Sequence, residues 1–255
     1  MYSLIIWLVI VAIQLAGFNA TNSFFPTRIL RRKPPKKFPH IIIAGPPSVG
    51  KGTLCSIMSK KFGFVHISSG DLLRESVTLG DHYKNKFEKY MKSGQLVPDS
   101  CIVDIIHHRL ACKDCADNGW LLDGFPRSKT QATALAKMGH TIDGVIILDA
   151  PISTILERGL GRVVDPITGR VYHKTHNPPP EGVRDRVICR SDDTEDTLLK
   201  RYEEYKMTVE QLFASYSCDV NRVDASQDMD KCIGDIEMIL DRHIQRCSVN
   251  NDRIV

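Results

Sequence analysis

The sequence predicts an α/β fold, a five-stranded parallel sheet with helices on both faces. Three observations carry this. From His40 onward short apolar runs alternate with helical patterns. The runs are four or five residues long and mostly apolar, as strands buried on both faces must be. A glycine-rich loop joins the first run directly to a helical segment. The chain's 255 residues, 42% of them hydrophobic, suffice for one α/β domain with insertions.

The first element is a leader, residues 1–39. Its apolar stretch Leu4–Ala16, broken only by Gln14 and followed by Gly17 and Ala20, reads as a signal-peptide core. It is shorter than the ~20 residues a bilayer span needs, so no stable membrane anchor is expected after processing. Thr21–His40 is rich in Pro, Arg and Lys and has no acidic residue, a composition that does not fold alone and suits a transit segment. The two in series resemble the leaders that carry proteins through the secretory pathway into plastids such as the apicoplast. Secreted, endomembrane and mitochondrial destinations stay open. Six of the 34 basic residues and none of the 30 acids fall in the first 40 positions. The formal net charge of +4 thus belongs to the leader, and the slightly acidic remainder argues against a nucleic-acid partner.

A domain is expected over residues 40–248, with a tail at 249–255. Its strands are Ile41–Ala44, Phe64–Ile67, Trp120–Asp123, Gly144–Leu148 and Val220–Val223. A long helix opens behind Asp193, with Leu198, Tyr202, Tyr205, Val209, Leu212, Phe213 and Tyr216 at spacings of three and four. Asp192 and Asp193 are expected to cap it and also to orient arginines of the flap that precedes it. Between Asp165 and Cys189 three consecutive prolines and the alternation around Val171, Tyr172 and His173 predict an inserted, sheet-like flap. The eight cysteines form no disulfide framework, and the pair Cys112 and Cys115 at a helix end, lacking a second pair, is not a metal signature.

The loop Gly45-Pro46-Pro47-Ser48-Val49-Gly50-Lys51-Gly52-Thr53 follows a strand and opens a helix, the context a phosphate-binding loop requires. Its backbone N–H groups point at phosphate, and Lys51 adds a mobile cation. Gly52 follows Lys51, so the Thr53 hydroxyl comes one place late for direct magnesium ligation. Ser48 is expected to keep negative φ.

Four further segments complete a pattern: Ser68-Ser69-Gly70-Asp71-Leu72-Leu73-Arg74, Gly94-Gln95-Leu96-Val97-Pro98-Asp99, Asp123-Gly124-Phe125-Pro126-Arg127 with Gln131 beyond, and Arg190-Ser191-Asp192-Asp193. In this order, from about His40 to Ile244, they resemble the adenylate kinase family. The resemblance implies a P-loop nucleoside kinase fold with an AMP-binding insert at 68–97 and a closing flap, the LID, at 161–193. It implies reversible phosphoryl transfer, ATP plus AMP giving two ADP, by a monomer whose partners are these nucleotides.

By the same resemblance the donor is held by Gly45, Ser48, Val49, Gly50, Lys51, Gly52 and Thr53. Arg158 packs on its base, Val171 and Tyr172 reach it from the flap, and the segment ending at Gln227 borders it. Arg127, Arg162, Arg190 and Arg201 clamp the transferred group, and Arg74 holds the AMP phosphate. Ser69, Gln95, Leu96, Val97, Gly124, Phe125, Pro126 and Gln131 surround AMP. Asp123 holds Mg2+ through water. No zinc site is expected, since the flap has only Cys189, and Asp165 with Thr168 stands where polar contacts fix metal-free relatives. A GTP-using AMP kinase, a UMP/CMP kinase and a nucleotide-binding regulator without catalysis are the alternatives.

Overall fold

The computed structural model describes residues 38–78, 90, 97–214, 216 and 218–252. The leader calls and the candidates Gln95 and Leu96 lie outside them.

Five strands, β1 (His40–Ala44), β2 (Val65–Ser68), β3 (Trp120–Asp123), β4 (Gly144–Asp149) and β7 (Asp219–Asp224), form one parallel sheet in the order β2-β3-β1-β4-β7. Side chains alternate across a pleated strand, and both sides are apolar here. Ile41 and Ile43 of β1, Leu121 of β3, and Ile146 and Leu148 of β4 enter one core. Ile42, Trp120, Leu122, Val145 and Ile147 enter the other. The first core is covered by α1 (Lys51–Phe62), α6 (Ile152–Leu160) and α9 (Met229–Asp252), through residues such as Leu54, Ile155 and Leu240. The second is covered by α3 (Asp99–Leu110), α4 (Lys113–Asn118), α5 (Lys129–Lys137) and α8 (Glu195–Phe213), through residues such as Ile106, Leu135 and Leu212. Each fully buried isoleucine or leucine contributes ~1.5–3 kcal/mol.

Parallel strands put all their C-terminal ends on one edge, where open α/β sheets bind ligands. The register pairs Ser68 with Asp123, and Asp123 with Ile43. The three sequence motifs that follow β1, β2 and β3 therefore emerge side by side. The second motif forms α2 (Ser69–Thr78).

The flap is a separate two-stranded antiparallel sheet of β5 (Arg162–Val164) and β6 (Val171–His173), extended by a bridge from Val164 to Ile188. A single turn, α7 (Glu181–Arg184), follows the three prolines, so the insert is only partly sheet-like.

Three expectations are corrected. The cap of α8 is Thr194, whose hydroxyl accepts from the Thr197 N–H, while Asp192 and Asp193 are engaged by arginines. The expected tail from residue 249 is helical as far as Asp252, because α9 continues through it. Ser48 has φ of 56°, the left-handed region, and not the negative φ expected. Among the described residues no helix is long and apolar enough to cross a membrane.

Candidate active site

Gly50 caps α1 with φ of 106°, and the helix starts at Lys51. Its N-terminal N–H groups thus face the loop Gly45–Gly50, an arrangement that attracts anions. Close packing explains the first glycine: a Cβ on Gly45 would stand 2.8 Å from the Leu148 carbonyl oxygen. Lys51 folds back, its Nζ donating to the Gly45 carbonyl at 2.9 Å and the Pro46 carbonyl at 2.7 Å. Burial lowers its ammonium to about 8; Asp123 pulls the other way, and Arg127 and Arg162 add repulsion. Such a site favours a further negative charge beside Lys51.

At the end of β3, Gly124 takes φ of 75°, and a Cβ there would stand 2.8 Å from Ser69 Oγ and 2.9 Å from Arg127 Nη2. Glycine is required on both counts. The turn is tied by Arg127 Nε donating to the Gly124 carbonyl at 2.7 Å and by Ser69 Oγ donating to the same carbonyl at 2.8 Å.

Among the described residues seven arginines line the same cleft as Lys51, and five of them are those expected to meet phosphate: Arg74 from α2, Arg127 after β3, Arg162 opening β5, Arg190 closing the flap and Arg201 on α8. Carboxylates hold most of them. Arg162 grips Asp193 with two hydrogen bonds, one of 2.8 Å from Nε to Oδ2, and Arg201 Nη1 donates to Asp192 at 2.7 Å. Arg74 pairs with Asp71 one turn earlier. Burial pushes the Asp192 carboxyl up, but the charge and hydrogen bond of Arg201 prevail and hold it below its usual range. Burial, with repulsion from Arg74 and Arg162, lowers Arg190 to about 10. A cluster of cations whose own charges oppose one another is built to receive a multiply charged anion.

The cleft encloses about 2650 Å³, more than the ~300–1,000 Å³ of a pocket for one small ligand. Its walls include Ser48, Gly50, Gly52 and Thr53 of the loop, Val171 and Tyr172 of the flap, and Gly124, Phe125 and Pro126 of the turn. Arg158 lies at one side with Nη1 donating to the Val49 carbonyl at 3.0 Å, so Val49 offers its backbone while its side chain is buried. Val97 is buried as well.

Three side chains differ from expectation. Gln131 is 3% exposed, its amide oxygen accepting from the Arg127 N–H at 2.7 Å and its amide nitrogen donating to Asp99 at 2.7 Å. Both groups expected to read adenine are engaged with protein. The Ser69 proton likewise goes to the Gly124 carbonyl, leaving only the oxygen's acceptor capacity. Gln227 turns to Asp235 on α9 at 2.7 Å, and its neighbours Ser226 and Asp228 line the cleft instead.

In the flap Asp165, 1% exposed, accepts from Arg186 at 2.8 and 2.7 Å, from Thr168 Oγ1 at 2.6 Å and from the Ile167 N–H at 3.1 Å. The Arg186 bonds hold its carboxyl well below the usual range. The polar contact of Asp165 and Thr168 was legible in the sequence; Arg186 was missed, since a partner 21 positions away leaves no local signal. The network of Ser128, Asp99 and Gln131 was missed for the same reason, although Ser128 directly before a helical run is itself a cap signal.

Residues 43–220 match the family described as Adenylate kinase. The chain is 38% identical over 201 residues to "Adenylate kinase, chloroplastic" of Zea mays, covering 78% of this chain and 90% of that one. It is 39% identical over 198 residues to "Probable adenylate kinase 2, chloroplastic" of Oryza sativa subsp. japonica, covering 77% and 68%.

Proposed function

This chain belongs to the adenylate kinase family, and from that premise we propose the roles by which its cleft moves a phosphoryl group from ATP to AMP. The reaction is that of a nucleoside monophosphate kinase, and it conserves charge and phosphate: AMP gains the group that ATP loses, and two ADP result. The observation that carries the assignment of roles is the gathering of Lys51 and five arginines around one phosphate-binding loop.

Phosphoryl transfer passes through a loose, highly charged state, so catalysis is mostly positioning and neutralisation. The loop N–H groups and Lys51 hold the donor's outer phosphates. Arg74 takes the AMP phosphate, and Arg127, Arg162, Arg190 and Arg201 span the group in flight with paired hydrogen bonds. Asp192 and Asp193 keep two of these guanidiniums aimed while the cleft is open. Arg158 presents a flat cation to the donor base. Closure of the flap at 161–193 over the AMP-binding segment at 68–97 excludes water, so that AMP and not solvent is the acceptor.

Asp123 suits Mg2+ held through water. It is a single buried carboxylate facing the start of α1, where Gly52 has no side chain: a Cβ there would stand 3.8 Å from Asp123 Oδ2. One carboxylate with room for water is how Mg2+ is commonly bound. When bound, the ion would neutralise charge on the donor phosphates.

The test is an activity matrix of ATP, GTP and UTP against AMP, GMP, UMP and CMP. Highest efficiency is expected for ATP with AMP; equal efficiency with CMP would overturn the acceptor, and with GTP the donor. We further propose that the leader directs the protein to a plastid, as the names of the two plant relatives suggest for those proteins, and that the mature chain is a monomer. A reporter fused to residues 1–39 that is secreted, or a dimer in light scattering, would refute these.

A further inference from the structure

Behind the phosphate loop, three side chains from three elements converge that the reaction does not use together. Cys55 of α1, His66 of β2 and Asp123 at the end of β3 present a thiol, an imidazole nitrogen and a carboxylate oxygen all within 4.8 Å of one another. Among the described residues no other three histidine, cysteine or acidic side chains gather in this way. His66 Nε2 is buried without a hydrogen-bond partner; the nearest carboxylate oxygen, Asp123 Oδ2, is 3.7 Å away, too far for a bond. A buried polar atom left unpaired, aimed at a carboxylate with a free thiol beside it, calls for an explanation.

The geometry points to an inhibitory binding site for a borderline-soft divalent cation, Zn2+, held by Cys55, His66 and Asp123. The donor set decides the metal. Mg2+ takes oxygen ligands almost exclusively, whereas one sulfur, one nitrogen and one oxygen with a fourth position open is a zinc set. With ~2.3 Å to sulfur and ~2.0–2.2 Å to nitrogen and oxygen, tetrahedral Zn2+ sets its donors roughly 3.3–3.8 Å apart. The present spread, up to 4.8 Å, must contract by about 1 Å to reach that range, while His66 Nε2 and Asp123 Oδ2 at 3.7 Å already lie within it. Binding displaces the Cys55 proton, since the thiolate is the zinc ligand. The consequence for catalysis rests on the proposed reading of the cleft: Zn2+ would take the carboxylate that orders Mg2+ and set a second positive charge beside Lys51.

Cobalt(II) serves as the spectroscopic probe, used with the full chain in which the exposed Cys112 and Cys189 are serine. One equivalent should give a thiolate-to-cobalt charge-transfer band with the visible bands of a four-coordinate ion, and Zn2+ should displace it. Cys55→Ala should abolish the band, and His66→Gln should weaken cobalt binding by ~10-fold or more, as loss of a ligand must if loss of a supporting group already costs that much. Absence of the band, or its survival in Cys55→Ala, would overturn the site. Because His66→Gln leaves the buried thiol packing intact, it carries the test should Cys55→Ala unfold. In the second arm Zn2+ should inhibit ADP formation at saturating Mg2+, with ~10-fold more needed for His66→Gln; equal sensitivity would overturn the inhibitory role. A protein that binds cobalt through Cys55 yet phosphorylates no AMP would overturn the reading of the reaction and leave the site standing.

Discussion

At the phosphate-loop corner, side chains are placed by strands buried on both faces: Asp123 is fixed because β3 is locked between β1 and β2, and Lys51 because α1 packs through Leu54, Cys55 and Met58. The flap has two short strands, and Ile167 and Ile188 stand 75% and 55% exposed. Its order comes from one buried carboxylate, Asp165, and the donors around it. The corner is therefore positioned by apolar burial, which is insensitive to salt and pH. The flap is positioned by charge-assisted hydrogen bonds that are strong only while Asp165 is ionised. A region that must open and close is better served by the second kind, since local opening then costs no core.

The sharpest way to break this comparison is at the corner. Lys51→Met removes a preorganised cation from the developing charge and should lower kcat by ~100-fold or more, with the unfolding midpoint unchanged within about 2 °C. A variant of near-normal rate would remove Lys51 from the mechanism.

Titration of the same residue gives the next effect. With its ammonium lowered to about 8, the free enzyme loses that charge as pH rises through 8, so kcat/KM for ATP should fall about tenfold for each further pH unit. Bound phosphate raises the Lys51 pKa again, so kcat should hold to higher pH than kcat/KM. A kcat/KM flat to pH 10 would contradict this.

In the flap, Asp165→Ala should raise KM for the donor by ~10-fold and leave the main unfolding transition in place, because Asp165, Thr168 and Arg186 belong to neither apolar core. Acid tests the same point. A carboxyl whose folded pKa is depressed contributes stability above its unfolded pKa, ~3.9, and loses it as pH falls toward the folded value. Flap protection in hydrogen exchange should therefore fade below about pH 4 in the parent protein and be weak at every pH in Asp165→Ala. Global unfolding of the variant at pH 7 would mean that the flap is part of the core.

The same contrast governs how much could be read in advance. All five strands of the parallel sheet were legible to within a residue or two; in β1, β3 and β4 burial on both faces writes apolar runs such as Ile41–Ala44, whereas the edge strand β7 is mostly exposed. The phosphate loop was legible because backbone demands select glycine at fixed places. Ser48 escaped, since its positive φ obeys the loop and not the residue's own preference. Partners of charged side chains were legible only in part: nothing local joins Arg186 to Asp165, while Asp193 was expected both to cap the helix and to orient an arginine, and only the second role is seen. Arg162, Arg190 and Arg201, which the resemblance placed in the site, line the cleft, and Asp192 and Asp193, expected to orient flap arginines, pair with Arg201 and Arg162.

The smallest effect separates contact from positioning at Gln131. A residue that reads adenine directly would, on truncation, raise KM for AMP alone. Here its amide bridges the Arg127 N–H and Asp99, which also accepts from Ser128 at 2.7 Å. Gln131→Ala would leave a buried N–H and part of a carboxylate unpaired and loosen the turn that carries Arg127. A lost hydrogen bond of this kind is worth ~1 kcal/mol, about fivefold in an equilibrium. On the transition-state role proposed for Arg127, kcat should fall by about that factor with AMP and with a base-modified analogue alike. Asp99→Asn keeps the shape and removes the charge, so it should reproduce the loss in kcat if positioning is the role. Loss confined to KM for AMP, absent with the analogue, would restore Gln131 to the adenine pocket and require the amide to leave Asp99 when AMP binds.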